Sequence, residues 1–202
     1  MLEAFLIGIF AGYAIAIPVG PIAILILRTG MRDGLRAGMA AGAGTATVDL
    51  FYATLAMLAG PAVVAVLTPV LVPARLIAAA LLIAIAARQL LTVRLEGGAH
   101  EPVAARRAYA TVLGLTLVNP ATVVYFASLA VGLPNVSAEP AARALFAIGA
   151  GLSSLSWQWL LAGMGSALHG RLPPWAARAT GSLSSAVIVV LALAIARDAL
   201  AG

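Results

Sequence analysis

Long uncharged runs alternate along this chain with short connections that carry arginine. The first run, residues 4–27, holds no charge. At roughly 1.5 Å per residue it makes about 36 Å of helix, enough to cross a hydrocarbon core of about 30 Å. Further runs cover about residues 37–58, 70–91, 108–133, 144–168 and 179–196. The pattern predicts an all-α membrane protein with six transmembrane helices. Two runs are interrupted near their middles, the first by Pro18-Val19-Gly20-Pro21 and the fourth by Asn119-Pro120. Proline removes a helix hydrogen bond and crowds the preceding turn, so both spans should be broken. In lipid such a defect survives only where protein or a water-filled cavity satisfies the freed backbone groups.

The longest polar stretch divides the chain. Residues 1–92 read as a first three-helix repeat, 93–107 as a cytoplasmic connecting loop and 108–202 as a second three-helix repeat. Three spans per half give the halves opposite topology, a 3+3 inverted repeat with broken first and fourth helices. An ungapped similarity supports this: residues 42–52 align with 149–159, setting Asp49 against Ser156 and Tyr52 against Trp159. Arginine placement gives the orientation. Arg28, Arg32, Arg36, Arg88, Arg94, Arg106, Arg107, Arg171 and Arg178 fall by the odd-numbered connections, and only Arg75, Arg143 and Arg197 on the other side. The odd connections are therefore expected in the cytoplasm and both termini outside it.

Composition narrows the function classes. The chain is 63% hydrophobic and 9% charged, against about 25% charged residues in soluble domains. All 12 basic residues are arginine and they are scattered, which argues against nucleic-acid binding. There is no cysteine, so disulfides, thiol redox chemistry and thiolate metal sites are excluded. His100 and His169 fall in expected loops without a partner at ligand spacing, so no metal site is expected. No nucleophile, catalytic dyad or nucleotide loop stands out, so neither an enzyme nor a cofactor is expected.

Candidate chemistry gathers at the breaks. Asparagine is a strong helix N-cap and proline suits the first helical position, so Asn119-Pro120 and Gly20-Pro21 each read as the start of a half-helix. In inverted halves both N-termini would approach the bilayer midplane, where unpaired N–H groups suit a carboxylate. Asp49 is the one acidic residue well inside a hydrophobic run, at a cost of about 2.5–3.5 kcal/mol on insertion scales. It is the candidate for ion coupling by proton exchange, or for holding a substrate ammonium group. Thr45 and Tyr52 share its helical face and are expected pocket neighbours. Ser153, Ser154, Ser156 and Gln158 make the fifth run unusually polar, to line a cavity or to bond between helices. The substrate-binding set is thus Pro18, Gly20, Pro21, Thr45, Asp49, Tyr52, Asn119, Pro120 and Ser156. Gly30, Gly34, Gly38 and Gly42 repeat every four residues and read as a packing stripe.

These residues resemble the lysine-exporter (LysE/RhtB) superfamily of bacterial amino-acid exporters. The likeness rests on Pro18-Val19-Gly20-Pro21-Ile22-Ala23, on residues 28–38 and 42–49, and on Leu117-Val118-Asn119-Pro120-Ala121. It implies a multi-pass protein of the bacterial inner membrane that exports amino acids or related small solutes, driven by a proton or cation gradient. A homo-oligomer is compatible with it. One position departs: many members have lysine after the asparagine-proline pair, where this chain has Ala121, and the chain has no lysine. Two other readings remain from the residues: a metal-ion exporter of the same superfamily, and a passive small-solute or water channel.

Overall fold

The computed structural model describes residues 1–18, 20–59, 102–119 and 139–168, with scattered helical positions in 72–87, 122–129 and 183–197. The described residues form helices and no strand. The expected third and sixth spans, Val19 and Pro120 lie wholly or partly outside them.

The first break forms where proline and glycine require it. Helix α1, Leu2–Ala16, ends before Ile17 and Pro18, and α2, Pro21–Asp33, starts after Gly20. Gly20 is extended at φ −109°, and Pro21 takes the first helical position, where its missing N–H costs nothing. The two helices meet at 81°.

The polar segment expected as a connection, residues 28–36, is instead mostly helical. Helix α2 continues to Asp33, and Gly34 alone separates it from α3, Leu35–Ala59. Gly34 has φ 85°, the one positive φ among the described residues, and a side chain would be strained there. The turn folds α3 back on α2 so closely that a Cβ at Gly38 would lie 2.8 Å from Gly30 Cα. Arg28, expected in the first polar connection, is 2% exposed inside this corner. The corner is also tied to the second half, because Val103 N donates to Asp33 Oδ1 at 3.0 Å.

Helix α4, Ala105–Leu117, ends at Val118 and Asn119, where the second break was expected. Helix α5, Pro140–Ala167, is continuous for 28 residues. Helices α3 and α5 are each long and apolar enough to cross a membrane, and the bent α1–α2 pair is a third candidate.

Helix α5 is the central element, packed on α1, α2 and α3. It runs alongside α1 in the same direction, Gly8 against Phe146 and Gly12 against Ala150. It runs opposite to α3, with Gln158 at Gly42, Ser154 at Asp49 and Gly151 at Leu50. Helix α4 lies beside α3 in the same direction, from Gly44 at Tyr109 to Tyr52 at Leu117. Among hydrophobic side chains, Phe126, Phe146, Ile26 and Met57 are the largest that are fully buried.

Candidate functional site

The α3 face carrying Thr45, Asp49 and Tyr52 turns inward, as one-turn spacing requires. Asp49 is 2% exposed, and Ser154 Oγ of α5 donates to its Oδ2 at 2.5 Å. One turn earlier, Thr45 Oγ1 lies 3.4 Å from Thr116 Oγ1 of α4. Thr116 already donates its only hydroxyl proton to Val112 O, at 2.8 Å, so Thr45 is the donor between the two threonines. One turn later, Tyr52 Oη donates to Leu117 O at 2.7 Å. That carbonyl lies at the end of α4, where helix carbonyls lack intrahelical partners, and Tyr52 supplies it with a donor.

Beyond the break, Asn119 N bonds back to Thr116 O at 3.1 Å, and its Nδ2 donates to Thr122 Oγ1 at 3.2 Å. Tyr125 Oη donates to Ala11 O of α1 at 2.7 Å and lies within electrostatic reach of Asp49. Hydrogen bonds thus connect α3 to both α4 and α5, and Tyr125 connects the region after the second break to α1.

The first break stands apart from this network. Pro18 is exposed, and Gly20 and Pro21 are half-buried. A Cβ built on Gly20 would meet no atom of the described residues within 4 Å.

Ser156 occupies the other side of α5. It is exposed and donates to Ser153 O at 2.8 Å, so Tyr13 Oη is the donor in their 2.9 Å contact. Asp49 therefore meets Ser154, two positions from the residue that the repeat alignment set against it. Thr116, Tyr125, Ser154 and Gln158 belong to the polar cluster or border it, and none was in the expected binding set. A signal for two of them was present: Gly151, Ser154, Gln158, Ala162 and Gly165 recur at helical spacing and define the face that meets α3 and α2.

The chemistry of this interior is one carboxylate, several hydroxyls and a carboxamide, all at the junction of three helices. Such a set can hold a proton or a cationic group, and offers oxygen ligands only. Among the described residues no group of three or more His, Asp or Glu side chains is placed to hold a metal ion.

A family model described as LysE type translocator matches residues 13–199. Neither a curated protein nor a solved structure gives a significant match.

Proposed function

Since the chain belongs to the LysE type translocator family and is therefore a membrane transporter, we propose that it exports amino acids or related small solutes by alternating access around Asp49. The observation that carries this reading is a carboxylate buried between two candidate transmembrane helices, its one hydrogen bond among the described residues coming from Ser154. A charge at that depth costs about 2.5–3.5 kcal/mol, and intramembrane ionisable groups mark substrate and ion paths.

The surroundings support transport in three ways. The second break lies one hydrogen bond from the Asp49 face, through Tyr52 and Leu117 O. No described residue crowds Gly20 at the start of α2, whose free N–H groups suit a carboxylate. The packing is consistent with a 3+3 inverted repeat, because exchanging the halves would swap the α1–α5 pair with the α4–α3 pair, each running in one direction. In this reading Asp49 alternately holds the substrate ammonium group and a coupling proton or cation, with both chain termini outside the cytoplasm of a bacterial inner membrane. Gly20, Pro21, Asn119 and Pro120 bound the substrate site, and Thr45 and Tyr52 fix the α3–α4 contact beside it.

The test is export of a mixed amino-acid pool from cells or right-side-out vesicles, comparing the chain with its Asp49→Asn variant. The expected result is efflux of a subset of amino acids by the unaltered chain alone, at equal amounts of inserted protein. Equal efflux by both would remove Asp49 from the mechanism, and no efflux by either would remove amino acids as the substrate class.

A further inference from the structure

Gln158 is 4% exposed, and its Oε1 accepts no hydrogen bond among the described residues. Buried side-chain oxygens are nearly always paired, so an orphan asks for an explanation. Its position supplies one. Gln158 lies one helical turn from Ser154, on the α5 face that meets α3, and a Cβ at Gly42 would lie 2.9 Å from its Cβ. Side chains on a helix lean toward that helix's N-terminus. Because α3 and α5 run in opposite directions, Asp49 leans toward Gln158 and Gln158 leans toward Asp49. Ser154 takes Asp49 Oδ2, while Oδ1 accepts no hydrogen bond among the described residues.

We propose that Gln158 Oε1 and Asp49 Oδ1 form one subsite for a primary ammonium group, each accepting one of its N–H bonds. Gln158 and Ser154 are neighbours one turn apart on α5, about 5–6 Å from Cβ to Cβ, so the carboxamide stands one turn from the serine that holds Asp49. Charge-assisted N–H···O bonds are about 2.7–2.9 Å long, so one ammonium nitrogen between the two oxygens can donate to both. A carboxylate is the wrong occupant, because Asp49 would repel it. A quaternary ammonium is also wrong, because it has no N–H to give and leaves both oxygens unpaired. The glycine at position 42 gives the carboxamide its place against α3. This subsite rests on the exporter reading above and makes Gln158 a substrate-contacting residue that sets selectivity for free ammonium groups.

The experiment uses proteoliposomes loaded with graded concentrations of the proteinogenic amino acids, each read separately by mass spectrometry, and of glycine betaine. Gln158→Leu removes the acceptor at similar volume, and Gln158→Glu keeps it. The expected result is a half-saturating concentration raised about tenfold or more by Gln158→Leu, with maximal flux largely kept. Gln158→Glu should not raise it, and the unaltered chain should not carry betaine. Unchanged half-saturation in Gln158→Leu, or an equal rise in both variants, overturns the subsite while leaving export intact. Betaine flux equal to that of the amino acids does the same. A change confined to the sodium dependence of flux would assign the carboxamide to a coupling ion instead. If Gln158→Leu does not insert, Gln158→Glu and the betaine comparison decide. If the unaltered chain exports no amino acid, the exporter reading falls and the subsite falls with it.

Discussion

Helix α5 presents two faces built from the same small residues to different ends. Toward α1 the contact is backbone on backbone, since a Cβ at Gly8, Gly12 or Gly149 would overlap main-chain atoms of the facing helix. Ser153, on that side, spends its hydroxyl on Gly149 O and Ala150 O of its own helix. Toward α3 the glycines at 42 and 151 flank a stretch where Ser154 meets Asp49 and Gln158 keeps an oxygen unpaired among the described residues. Small residues let membrane helices approach closely, but closeness alone does no chemistry. The α1 face fixes where α5 sits, and the α3 face uses that fixed position to place Ser154 against the buried Asp49 side chain.

The largest effect should come from breaking the close-packed face. Gly12→Leu puts a side chain where Ala150 and Ser153 leave no room, and should cost about 3 kcal/mol, the upper end of overpacking penalties. Thermal unfolding in detergent and the amount of inserted chain would report it. On the other face, Ser154→Ala deletes the hydrogen bond to Asp49 and leaves α1 untouched. It should cost about 1.5–3 kcal/mol, the range for bonds to charged groups, and lower export per inserted chain about tenfold. The smallest effect belongs to Tyr13→Phe, which removes the exposed bond to Ser156. Interhelical bonds of this kind average about 0.6 kcal/mol in membranes, so midpoint and flux should both stay nearly unchanged. A large loss of flux in Tyr13→Phe would blur the division between the faces.

Much of this was legible in the sequence, and the remainder was not for identifiable reasons. The helix ends before both breaks could be read, because proline acts locally, through its missing N–H and its crowding of the preceding turn. The inward turn of Thr45, Asp49 and Tyr52 could also be read, because helical spacing fixes a shared face. Arg28 could not. A charge after an apolar run suggests a loop, yet Gly34 is the residue that bends the chain, and the helix runs through Arg28 to reach it. The partner of Asp49 was also out of reach. An internal alignment compares equivalent positions in two halves, whereas Ser154 meets Asp49 through the packing register of α5 on α3. That register is set by glycine contacts spread over both helices, and Ser153, Ser154 and Ser156 are equally polar in the sequence.

The adjacent serines offer the most direct test of the division. The chain contains no cysteine, so Ser153→Cys and Ser154→Cys each introduce one thiol of nearly unchanged size. Both positions are buried, one facing α1 and the other Asp49. A small membrane-impermeant thiol reagent needs water and a thiolate to react. If the α3 face lines a transport path, Ser154→Cys is labelled in membranes and protected by an exported amino acid, while Ser153→Cys stays unlabelled. Labelling of Ser153→Cys at the same rate, or of Ser153→Cys alone, would contradict the account.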